Sequence, residues 1–111
     1  MIETTEHILA EITEAIVQEV HPERIYLFGS RARGDARADS DIDLLIVERE
    51  PFGPNRTRLR EMTRIRRALS QFRASKDILV YSVEEVVKWR HSVNHIISHC
   101  LREGKLLYAR S

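Results

Sequence analysis

Gly29-Ser30-Arg31-Ala32-Arg33-Gly34, followed after a short polar stretch by Ser40-Asp41-Ile42-Asp43-Leu44-Leu45-Ile46, is the part of the chain on which its fold and chemistry turn. The apolar run Ile25-Tyr26-Leu27-Phe28 just before it reads as a buried strand that Gly29 stops. A glycine at a strand end lets backbone approach a ligand closely. A serine opening the next helical turn aims its hydroxyl and free backbone N–H groups at the same spot. Such a turn is a natural phosphate seat, although by itself a Gly-Ser after a strand is more often a plain turn with a capping serine. It is not a P-loop, because the glycine–lysine–threonine ending is missing.

The aspartates add weight. Residues 42–47 read as a second strand. Side chains in a strand alternate faces, so Asp41 and Asp43 project from one face, about 7 Å apart, while Ile42 and Leu44 point to the other. Carboxylates placed together resist ionising unless something positive lies between them. Magnesium is the natural candidate, because it binds carboxylates together with substrate phosphate oxygens; a solvated, idle pair at an exposed strand entrance is the alternative. A third carboxylate, Asp77, opens the next expected strand in Lys76-Asp77-Ile78-Leu79-Val80, and neighbouring strands with aligned starts would bring it beside the other two.

Outward from this core, Ile8, Ile12, Ile16 and Val20 recur every four residues and predict an amphipathic helix over about residues 4–20, ended by His21-Pro22. Asn55 or Thr57 could cap a second helix running to about Phe72 through Leu59, Met62, Ile65 and Leu69. Ser82 opens a helical region through Trp89 and Ile97 to Leu101, with a possible break near His91 and Gly104 as its C-cap. Residues 105–108 are a candidate edge strand. Alternating helix and strand imply an α/β fold, a single domain spanning 1–111 with a small sheet covered by helices, whose strand order is not readable from one sequence.

At this point the residues resemble the minimal nucleotidyltransferases of the polymerase-beta-like superfamily. The shared signature is the Gly29-Ser30 turn, the Asp41-x-Asp43 pair, Asp77 on a following strand, and a closing stretch Leu101-Arg102-Glu103-Gly104-Lys105-Leu106-Leu107-Tyr108. The resemblance implies a nucleotidyltransferase fold with a small mixed sheet. It also implies that Gly29 and Ser30 bind ATP, and that Asp41, Asp43 and Asp77 are catalytic and hold Mg2+. Arg31 and Arg33 would flank the triphosphate, with surface pairing to Asp35 or Asp39 as the alternative. At 111 residues the chain is expected to leave no room for a separate acceptor-binding domain. The resemblance therefore points to an antitoxin that transfers AMP to a tyrosine of a partner, a HEPN-type RNase toxin, in a hetero-oligomer. Two other outcomes stay open: neutralisation by binding alone, and transfer to an RNA end or a small molecule.

Composition limits the other classes. Eighteen basic and 17 acidic groups leave a formal net charge of +1, so the molecule is no polycation built for nucleic acid. No segment approaches the roughly 20 apolar residues that span a bilayer. The acidic start Met-Ile-Glu-Thr-Thr-Glu is unlike a secretory signal, and with a lone cysteine, Cys100, it sets a cytoplasmic expectation. Cys100 sits in an apolar helical stretch and reads as a packing residue. Between residues 56 and 73 seven arginines face one acid, Glu61, with no interleaved aromatics to stack bases. That segment suits an acidic partner better than single-stranded RNA. His91, His95 and His99, four apart, would form one helical stripe facing solvent or a partner rather than zinc, for which they lack a fourth ligand.

Overall fold

Every fourth residue of the first helix is apolar, and the side that results is the side that packs. In α1 (Thr5–Val20), Ile12 and Ile16 are fully buried and Ile8, Leu9 and Val20 pack around them in the computed structural model, which describes residues 5–37 and 40–110. The expected start at residue 4 lies outside the described residues. His21 ends the helix in a left-handed conformation (φ 48°), its N–H still donating to the Val17 carbonyl, and Pro22 prevents continuation.

The strands β1 (Arg24–Phe28), β2 (Ile42–Glu48), β3 (Lys76–Ser82) and β4 (Lys105–Ala109) form one mixed sheet in the order β3-β2-β1-β4. β1 runs antiparallel to both neighbours, whereas β2 and β3 are parallel and joined by the crossover helix α3 (Arg58–Ala68). β2 lies inside the sheet between two helical layers, which explains why Leu44-Leu45-Ile46-Val47 is a continuous apolar run rather than an alternating one. Ile42, Leu44 and Ile46 face the layer of α1 and α3, meeting Ile12, Ile16, Ile65 and Leu69. Leu45 and Val47 face the opposite layer, where Cys100, Val83 and Val86 come from α5 (Ile96–Glu103) and α4 (Val83–Trp89). The expected α/β arrangement, a small mixed sheet covered by helices, is the one found.

One helix boundary differs from expectation. Thr57 is the cap of α3, its hydroxyl accepting from the Arg60 N–H at 3.2 Å, but the helix stops at Ala68 instead of near Phe72. The Lys76 ammonium donates to the carbonyls of Phe72 (2.6 Å) and Ala74 (2.7 Å), so this turn is satisfied by a side chain and leads directly into β3. The histidine stripe is also corrected. α4 ends at Trp89, and the chain turns before α5 begins at Ile96. His95 caps α5, its Nδ1 accepting from the Ile97 N–H at 3.1 Å, and its ring stacks on Trp89 at 4.6 Å. His91, His95 and His99 therefore share no helix face.

Gly104 is the C-cap of α5 as expected, though in an extended conformation. A Cβ there would lie 2.3 Å from the Cys100 carbonyl oxygen and 2.9 Å from that of Leu27, so glycine is what allows β4 to pass from α5 onto β1. Among the described residues no helix is long and apolar enough to cross a membrane.

Candidate active site

β1 ends at Phe28, and Gly29 turns the chain with φ +74° into the short helix α2 (Gly29–Arg33). Phe28 is paired with Asp43 on β2, so the turn closes directly over that aspartate. A Cβ on Gly29 would fall 2.2 Å from Asp43 Oδ2, inside any allowed contact. Gly29 is therefore required twice, by its left-handed backbone and by the carboxylate pressed against it. Ser30 sits in the first turn of α2, where N–H groups have no intrahelical acceptor, and Gly34 caps the helix with its N–H on the Ser30 carbonyl at 3.0 Å.

The strand register brings the carboxylates together. Asp43 and Asp77 are partners across the parallel β2–β3 pair, hence neighbours on one sheet face, the face whose interior is filled by Leu45, Val47 and Leu79. Asp41 lies one residue before β2, exposed. Its position is set by anchored neighbours: the Ser40 carbonyl accepts from Arg31 Nη2 at 2.7 Å, and the Ile42 N–H donates to the Ser75 carbonyl at 2.8 Å. Burial raises the pKa of Asp43, and the nearby charges of Asp77 and Asp41 raise it further, while Arg33 and Arg31 offset part of the effect. Asp77 and Asp41 thus both act electrostatically on Asp43.

A cation at this point would relieve that repulsion, and the donor set fits magnesium. Among the described residues no three acidic, histidine or cysteine side chains are gathered closely enough to enclose an ion by themselves. Magnesium does not need such a cage: it is held by one or two carboxylates, and substrate phosphates and water complete its shell. An open row of aspartates beside a glycine turn matches that habit.

The two arginines separate. Arg31 ties α2 to the strand entrance through Ser40. Arg33 is half-exposed and lies 3.5 Å from Asp35 and 3.9 Å from Glu103, so one of its alternative pairings is realised; Asp39 lies outside the described residues. The role of Ser40 and Glu103 in placing these arginines carries no sequence signal, because both contacts are made by fold rather than by spacing. Cys100 is buried beneath the aspartate face. Desolvation and the Asp43 charge push its thiol up to about 12, leaving it unreactive and in keeping with packing.

Much of the arginine-rich segment is spent on structure. Arg56 pairs with Glu48 at 2.7 Å, Arg58 with Glu85 and the Val80 carbonyl, and Arg64 with Glu19 at 2.9 Å. The side chains of Arg60, Arg66, Arg67 and Arg73 are exposed.

With strand order and carboxylate placement in view, the sequence relations are decisive. Residues 10–111 match the family model described as polymerase beta, nucleotidyltransferase. The chain belongs to that family. It is a nucleotidyltransferase domain by fold, and several solved structures are similar to it. A candidate nucleotidyltransferase from Sulfolobus solfataricus is 28% identical, with 93% of this chain and 82% of that one covered and a TM-score of 0.60. A toxin–antitoxin structure with AMP-PNP contains a chain 19% identical (92% and 74% covered, TM-score 0.56). A complex of a tri-AMPylated HEPN toxin with an MNT antitoxin from Shewanella oneidensis contains one 16% identical (96% and 74% covered, TM-score 0.52). At the last two identities the likeness is one of fold. No curated protein is significantly similar to the chain in sequence.

Proposed function

We propose that this nucleotidyltransferase is a magnesium-dependent antitoxin that transfers AMP from ATP to a tyrosine of a HEPN RNase toxin. The observation that carries the catalytic half is the register pairing of Asp43 with Asp77, under a glycine turn that leaves no room for a side chain. The acceptor half is supported by the fold shared with antitoxin complexes, one of which holds an AMP-modified HEPN toxin.

In this reading the Gly29-Ser30 turn binds the triphosphate, with the Ser30 hydroxyl and first-turn N–H groups donating to phosphate oxygens. Asp41 and Asp43 would hold the nucleotide-bound magnesium, and Asp77 would help hold a second ion. The chemistry such ions would supply there is neutralisation of phosphate charge and a lowered pKa for the attacking hydroxyl. The hydroxyl gives up its proton to solvent as its oxygen bonds to the α-phosphorus, the bond from that phosphorus to the bridging oxygen breaks, and pyrophosphate leaves. Arg31 and Arg33, at the rim of the turn, offset negative charge on the departing group. The protein supplies position and charge, with no covalent intermediate of its own.

Incubation of the purified protein with α-labelled ATP, magnesium and the product of its neighbouring gene should label that neighbour on tyrosine. Asp41→Asn/Asp43→Asn should abolish the label and, with it, relief of toxicity. Relief that survives this double substitution would instead establish neutralisation by occlusion. Label on RNA or a small molecule, with none on the neighbour, would overturn the choice of acceptor.

A further inference from the structure

The helical layer of α1 and α3 faces away from the aspartates, and its outer surface carries charge that the fold leaves uncompensated. Glu61, the one acid of α3, is turned inward with only 12% of its side chain exposed. Glu19, at the end of α1, is already engaged: Arg64 donates to its carboxylate at 2.9 Å and to its carbonyl at 2.6 Å. Among the described residues no carboxylate pairs with Arg60 or Arg67, which line a groove of about 630 Å³ between α3 and the end of α1, and Arg66 stands exposed on the shoulder of the same helix. Leu59, 70% exposed, sits on the groove wall beside Thr63, with Ala68 at the far end.

We propose that this groove, rimmed by Arg60 and Arg67 with Leu59 on its wall, is a docking surface for an acidic, amphipathic segment of the acceptor protein. The proposal rests on the reading of the acceptor as a protein. Charge complementarity selects the sign of the partner. The exposed leucine selects its kind, because a knob of apolar surface framed by guanidinium groups suits a helix bearing both acids and an apolar side chain. Nucleic acid is the poorer match: no aromatic side chain lines the groove for bases to stack on. Because α3 and the aspartates lie on opposite sheet faces, docking and chemistry occupy separate surfaces. A partner held on α3 keeps its acceptor segment at high effective concentration near the strand ends without blocking nucleotide entry.

The test compares wild type, Arg60→Glu/Arg67→Glu, Leu59→Ser and Asp41→Asn/Asp43→Asn, all full-length, against the purified neighbouring-gene product and a 20-nucleotide single-stranded RNA. The charge reversal should weaken binding of the protein about tenfold or more and flatten its salt dependence, and Leu59→Ser should weaken it several-fold. The aspartate double variant should bind like wild type. Melting temperatures check that the exposed substitutions leave the fold intact. The docking surface is overturned if the charge-reversed chain binds the neighbour as wild type does, or if wild type does not bind it. It is equally overturned if the substitutions affect only RNA binding or only a self-associated dimer seen by sedimentation. AMP label on a neighbour whose affinity ignores Arg60 and Arg67 sinks the docking surface alone. Arg60-dependent binding without label sinks the catalytic reading alone.

Discussion

Asp43 and Gly29 define each other. The carboxylate occupies the space a side chain on residue 29 would need, and the left-handed turn that brings backbone there is one that other residues adopt only under strain. Gly29→Ala should therefore lower stability by about 1–3 kcal/mol and displace Asp43. Thermal unfolding and titration with Mg-ATP check both effects. A Gly29→Ala/Asp43→Ala double variant should recover part of the stability, since the clash is gone, and none of the nucleotide binding. Unchanged nucleotide affinity in the single variant would separate the turn from the phosphate seat.

At the scale of elements, the crossover from β2 through α3 to β3 and α4 sets the register on which the site depends. It is pinned at its far end by Ser82, whose buried hydroxyl accepts from the Glu85 N–H at 3.2 Å while its own N–H donates to Glu85 at 2.9 Å. Arg58 reaches across from α3 to the same Glu85. This reciprocal cap fixes where β3 stops and α4 begins. Ser82→Ala should cost about 1 kcal/mol, which for a domain of this size is about 4–8 °C in melting temperature. Arg58→Ala should act on the same unit, so the two losses combine non-additively in a double-mutant cycle.

For the molecule as a whole, the layer of α1 and α3 closes over an acid that the site does not use. Glu48, at the end of β2, is 4% exposed and borders a polar cleft of about 370 Å³. Arg56 satisfies one of its carboxylate oxygens, while Oε2, like Oε2 of Glu61, is buried without a hydrogen-bond partner among the described residues. Burial and the charge of Glu61 raise Glu48 from 4.5 to about 7. The folded protein then holds this proton more tightly than the unfolded chain does. The contribution to stability is full below pH 4.5, declines as pH rises to about 7, and is level above that, an overall change on the order of 3 kcal/mol. The difference between wild type and Glu48→Gln in denaturant unfolding across this range should carry that slope. A difference that is flat with pH would remove Glu48 from the account.

The sequence by itself determined what depends on local geometry. Helix and strand periodicities marked α1, β1, β2 and β3 to within a few residues, and the Asp41-x-Asp43 spacing placed two carboxylates on one side, because backbone repeats are set by bonds and dihedrals near each residue. The Gly-Ser turn and its aspartates also carried the family, which the match over residues 10–111 bears out. Tertiary structure alone decided the pairing of Asp43 with Asp77, the contact that makes Gly29 obligatory, and the division of the arginines into those spent on Glu19, Glu48 and Glu85 and those left facing outward. It also broke the histidine stripe, since stacking on Trp89 and capping of α5 drew His95 out of helical phase. Apart from the histidine break, whose contacts are local, each of these rests on contacts between segments far apart in the chain. Their partners are chosen by how two helical layers pack on one sheet, and no spacing within a single segment encodes that choice.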